Sequence, residues 1–173
     1  MGASRKTRSV IAFPPLVGEA PRLLILGSLP GVRSLQAGEY YAHPRNAFWP
    51  IMGALFGAHP ELSYAERVAA LTGSGIALWD VLAQAHRPGS ADAAIDLDSA
   101  QANRFDEFLP RHPGLRCVAF NGAAAAALYR RKVLPHLPAT WASLPQRVLP
   151  SSSPAHASLN LAAKRRRWRV ALL

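Results

Sequence analysis

Four short apolar stretches, at 22–26, 76–79, 116–120 and 147–149, each run into a turn, with helical patterns in the intervals between them. Runs this short with no polar alternation mark strands buried on both faces, as the strands of a parallel sheet are. Helical periodicity is expected near 47–56, 64–71, 102–109, 123–130 and 158–172. Strands alternating with helices specify an α/β fold: a three-layer sandwich with a mainly parallel four-stranded central sheet. Such sheets bind ligands outside the carboxyl ends of their strands. The loops at 27–31, 80–90, 121–122 and 150–156 are therefore where chemistry is expected. The alanine run 123–127 reads as a tightly packed helix start, and no repeat is visible.

A chain of 173 residues fits one core. Residues 1–20 are expected to form a basic, partly flexible segment and 21–173 a single domain. No apolar run approaches the ~20 residues of a membrane span. Arg5, Lys6 and Arg8 are followed by Pro14 and Pro15 without an apolar stretch of signal-peptide length, so a soluble, cytoplasmic, monomeric protein is expected. The one cysteine, Cys117, provides neither a disulfide framework nor a zinc cluster and reads as a small core residue. Twenty Lys and Arg stand against ten Asp and Glu, a formal charge of +10. Such a surface attracts polyanions by counterion release, although Ala- and Arg-rich composition also accompanies GC-rich genomes. The charge favours nucleic acid as partner.

The first loop reads Gly27-Ser28-Leu29-Pro30-Gly31. It lacks the third glycine of a dinucleotide fingerprint and the Gly-Lys-Ser/Thr ending of a phosphate-binding loop. It suits a sharp turn with close backbone approach to a ligand. A dense run from Ser34 to Trp49 follows, holding Tyr40, Tyr41, His43, Asn46, Phe48 and Trp49. Phe48 and Trp49 read as core. Tyr41 and Asn46 read as functional, because rings can stack on an extruded base and amides can orient water.

The ordered match from Gly27 to Trp49 resembles the first active-site segment of mismatch-specific uracil-DNA and thymine-DNA glycosylases. Pro150-Ser151-Ser152-Ser153 resembles their second motif, and Pro154-Ala155-His156 continues it toward a minor-groove insertion loop. Together with the 75–80 stretch and Phe120-Asn121-Gly122, these motifs resemble the sixth family of the uracil-DNA glycosylase superfamily, the hypoxanthine (deoxyinosine)-DNA glycosylases. Where the mismatch-specific enzymes carry a water-positioning Asn, this chain has Leu29, which cannot hold water. The sixth family lacks that Asn too and relies on one matched here by Asn46.

The resemblance implies that Asn46 orients the attacking water, that Tyr41 stacks on the base and that Asp80 matches a base-reading Asn by position. Asp80 also reads as a helix cap or solvated loop acid, and Asn121 as a turn residue or second base contact. His43 and His156 are candidates to meet a phosphate or the departing base, or plain solvated side chains. Arg165 and Arg166, in the run Lys164-Arg165-Arg166-Arg167, are candidates for phosphate contact on the last helix, against the alternative of a solvated face. The lysines Lys6, Lys132 and Lys164 fall outside the expected site, so no amine nucleophile for a Schiff base is expected.

The expectation is a monofunctional DNA glycosylase needing no metal or cofactor. It would flip a deaminated base, hypoxanthine first, from DNA and hydrolyse its N-glycosidic bond. Uracil opposite guanine is the alternative within the same chemistry. A non-catalytic nucleic-acid-binding module of the same fold is the alternative outside it.

Overall fold

The computed structural model describes residues 9–173; Arg5, Lys6 and Arg8 lie outside the described residues. Four strands, β2 (Leu23–Gly27), β3 (Ile76–Asp80), β6 (Cys117–Asn121) and β7 (Gln146–Leu149), form an all-parallel sheet in the order β3-β2-β6-β7. Each lies within one residue of its expected bounds. Their side chains alternate between two cores. Leu24, Leu26, Trp79 and Phe120 face one layer, with Phe105 and Phe108 of α4 (Phe105–Arg111) and Tyr129 of α5 (Ala123–Lys132). Ile25, Leu78 and Ala119 face the other, formed by α2 (Phe48–Phe56), α3 (Tyr64–Gly73) and α7 (Leu161–Leu172). Burial on both faces explains why the strands read as unbroken apolar runs. The helix α3 starts with a capping box between Ser63 and Glu66.

A second, antiparallel sheet in the order β1-β4-β5 joins β1 (Ser9–Ile11), β4 (Leu82–His86) and β5 (Gln101–Ala102). Sequence reasoning missed it. The segment 80–90, expected as loop, contains β4, and α4 begins at Phe105 rather than 102 because Gln101 and Ala102 pair with β4. The described part of the 1–20 segment is tied down: β1 pairs with β4, and Leu16 exchanges backbone hydrogen bonds of 2.8 Å with Leu78. A six-residue helix, α1 (Val32–Ala37), and a four-residue one, α6 (Ala139–Ala142), were also unforeseen. Cys117 is half-buried rather than core, and burial pushes its thiol upward while Arg147 opposes this.

Candidate active site

The carboxyl ends of β2, β3, β6 and β7 converge on a cavity of about 420 Å³, within the size range of small-ligand sites. It gathers Gly27, Ser28 and Leu29 from the first loop, Tyr41, His43 and Asn46 from the next, Asp80, Asn121, and Ser151, Ser152, Ser153, Pro154 and Ala155. His156, Arg165 and Arg166 lie outside the lining. The imidazole Nε2 of His156 is 3.3 Å from the Ser158 hydroxyl, and both arginines are exposed on α7.

Every carbonyl of the 27–31 loop is bonded inward. Gly27 and Ser28 accept from the N–H groups of Val81 and Leu82 at 2.8 and 3.1 Å, and Gly31 accepts from Leu35 at 3.0 Å. Leu29 and Pro30 accept from the Arg87 guanidinium. The N–H groups of Ser28, Leu29 and Gly31 have no protein hydrogen-bond partner among the described residues, and all three residues line the cavity. Leu29 itself is buried. Position 27 has to be glycine: a Cβ there would sit 2.5 Å from Asp80 Oδ1 and 2.8 Å from the Tyr41 hydroxyl.

Asp80 ends β3 and is 4% exposed, with Oδ2 lacking any hydrogen-bond partner. It is neither a solvated loop acid nor a helix cap. Burial, reinforced by the charge of Asp92 and opposed by Arg87, raises its pKa to about 7. Beside it the Tyr41 hydroxyl is also buried and unpartnered. Burial and the Asp80 carboxylate push that phenol above its ordinary range, with Asn121 opposing. Tyr41 is the one non-glycine residue with positive φ among the described residues, at 54°. Its ring stacks on Phe48, with centroids 4.1 Å apart. Holding a tyrosine in the left-handed region costs about 1–3 kcal/mol, and the residue held there lines the cavity.

Asn46 lies two residues before α2: its Oδ1 accepts from the Phe48 N–H at 2.9 Å, which fixes the amide and leaves one lone pair free. The Arg45 N–H donates to His43 Nδ1 at 3.1 Å, so the neutral ring carries its proton on Nε2. Asn121 and Ser152 are locked together. The Asn121 amide donates to Ser152 Oγ, and the Ser152 N–H donates to Asn121 Oδ1, both at 2.8 Å. Asn121 thus fixes the second motif to β6.

Sequence reasoning missed two groups of residues. Lys164, read as part of a charged surface run, is buried and donates to the Ser153 carbonyl at 3.1 Å, one helical turn from Trp168, which donates to Pro150 at 2.8 Å. Both pin the 150–153 backbone from below. The second group is Arg87, Ser90 and Asp92, in the loop that follows β4. Ser28 donates to Asp92 at 2.6 Å, the Val32 N–H donates to Ser90 at 2.9 Å, and Arg87 is 4% exposed. A lone Arg among twenty basic residues carries no sequence signal of burial.

Residues 14–173 match the Uracil DNA glycosylase superfamily. Two curated relatives are named hypoxanthine DNA glycosylase. The one from Methanosarcina barkeri is 39% identical over 64% of this chain and 69% of its own length. The one from Methanosarcina acetivorans is 34% identical over 71% and 82% respectively. The solution NMR structure of a protein from Methanosarcina acetivorans, described as a uracil DNA glycosylase, superposes with a TM-score of 0.76. It is 31% identical and covers 94% of this chain and 96% of its own.

Proposed function

The chain belongs to the uracil DNA glycosylase superfamily, and we propose that it excises hypoxanthine from DNA as a monofunctional, cofactor-independent enzyme, monomeric and cytoplasmic. The names of its relatives from the two Methanosarcina species support the substrate. The single observation that carries the chemistry is the buried Asp80 carboxyl at the cavity wall, one of whose oxygens has no hydrogen-bond partner.

The extruded base stacks on Tyr41, whose other face is backed by Phe48; such stacking is worth ~1–3 kcal/mol. Asp80 reads the lactam edge. One oxygen accepts N1–H, and the protonated carboxyl donates its O–H to O6. As the N9–C1′ bond breaks, its electron pair and the negative charge pass to the base, so a donor at O6 strengthens in the transition state. A carboxylic acid kept neutral by an apolar site serves this need. The N–H groups of Ser28, Leu29 and Gly31 and the Nε2–H of His43 are further donors. A water oriented by Asn46 adds to C1′, its oxygen becoming the sugar hydroxyl and its proton going to the released base. Orientation is most of what that late nucleophile needs.

DNA would lie across the mouth, with Pro154, Ala155 and His156 toward the vacated stack and Arg165 and Arg166 on phosphates. Uracil presents the same edge through N3–H and O4, so Asp80 alone does not separate the two bases. A non-catalytic module would need none of Asp80, Tyr41 or Asn46. The test is incubation with matched oligonucleotides bearing hypoxanthine, uracil, xanthine or thymine, then alkali. Strand scission at hypoxanthine only after alkali is expected; scission confined to uracil, or none, overturns the reading.

A further inference from the structure

Beyond base contact and water positioning, the cavity depends on how the 27–31 backbone is turned. Two of its carbonyls, Leu29 and Pro30, have no backbone donor within reach of the sheet. Arg87 serves both with separate guanidinium nitrogens while its Nε donates to Gly89 at 3.1 Å, closing its own loop. The residue is 4% exposed. Burying such a charge without an ion-pair partner is costly, and the three carbonyls are what the fold supplies in return. An ammonium has no planar fork with which to bridge three carbonyls in this geometry. We infer that Arg87 is a positioning residue: its buried guanidinium holds the Leu29 and Pro30 carbonyls away from the cavity, so that the loop's free N–H groups face the ligand. The inference rests on the glycosylase reading for its catalytic consequence but not for its structural one.

Arg87 has a second effect that a purely structural residue would lack. The charged and titratable groups around Asp80 are Arg87 and Asp92 from the 87–92 loop and Tyr40 and Tyr41 from the segment after α1. Arg87 is the one cation among them, and it favours the ionised carboxylate; Asp92 disfavours it. Removing one or the other therefore moves Asp80 in opposite directions.

The experiment uses the full chain with Arg87→Met, Arg87→Lys and Asp92→Asn. Amide hydrogen exchange is followed at Leu35, Val81 and Leu82, whose N–H groups donate to Gly31, Gly27 and Ser28. Single-turnover hypoxanthine release is followed from pH 5 to 9. Arg87→Met should speed exchange at those amides about tenfold and slow release ~10²-fold. It should also move the alkaline midpoint of the rate profile up, and Asp92→Asn should move it down. Arg87→Lys keeps the charge, so its midpoint stays while exchange and rate still suffer. Unchanged exchange in Arg87→Met, or wild-type exchange and rate in Arg87→Lys, overturns the positioning role. Midpoints that fail to move apart in Arg87→Met and Asp92→Asn overturn the electrostatic one. If the wild-type protein releases no base, the glycosylase reading fails, and the exchange data still decide the positioning role.

Discussion

Gly27→Ala tests whether the glycine exists to admit the Asp80 carboxyl. The added methyl would lie 2.5 Å from Asp80 Oδ1 and 2.8 Å from the Tyr41 hydroxyl. Ordinary carbon–oxygen contact needs roughly 3.3–3.6 Å, so the carboxyl must retreat by about 0.8–1.1 Å. It cannot do so freely, because Asp80 is 4% exposed and its backbone carbonyl accepts from Asn103 Nδ2 at 2.8 Å. Overpacking of this kind costs about 1–3 kcal/mol in stability, a fall of roughly 2–12 °C in melting temperature for a domain this size. A reactive group misplaced by ~1 Å costs ~10²-fold in rate. The expected result is a folded protein with DNA affinity near wild type and single-turnover excision down ~10²-fold. Asp80→Gly in the same background should restore the melting temperature and not the rate. Full-rate excision by Gly27→Ala would refute the placement of Asp80 against the base.

Asn46→Ala should keep DNA binding and lose ~10²-fold or more in single-turnover cleavage; near-normal cleavage would exclude it as the water holder. Tyr41→Phe should be mild in both rate and stability, since the hydroxyl it removes is buried and unpartnered, whereas Tyr41→Ala should be severe; equal damage from both would make the hydroxyl the working group. Asp80 has its folded pKa raised to about 7 from 3.8, so the folded state binds the extra proton between those values. Its contribution to stability is full below pH 4 and is lost as pH rises through 7, on the order of 4 kcal/mol. Urea denaturation against pH should show that slope in the wild type and not in Asp80→Asn; parallel curves would contradict the burial of an ionisable carboxyl. Replacing Arg165 and Arg166 by Ala should flatten the salt dependence of DNA binding by about one unit of slope per lost contact, and an unchanged slope returns that face of α7 to solvent.

The parallel sheet was legible because double-sided burial writes an unbroken apolar run, and the site because such sheets present ligands at their carboxyl ends. The antiparallel sheet was not. Its strand β4 reads Leu-Ala-Gln-Ala-His, with Gln84 half-buried and His86 exposed, and β5 has only two residues. Such short, mixed strands exist through pairing that no local pattern announces. The helix α1, at six residues, is too short to show a period. Asn46, Tyr41 and Asp80 were nameable in advance, but only coordinates separate Asp80 from a loop acid, since burial is a property of what surrounds it. Arg87 and Lys164 were hidden for the same reason: a buried cation that bonds carbonyls and a solvated one have the same letter.

The proposed reaction is hydrolysis at C1′ with departure of an intact base. Its most direct measurement is single-turnover reaction of a hypoxanthine-containing duplex, with the free base separated by chromatography and the abasic strand quantified before and after alkali. One free hypoxanthine per abasic site and a strand left uncut until alkali is added are expected, with base release slowed ~10²-fold in Asn46→Ala. A strand nicked before alkali or no released base would contradict it.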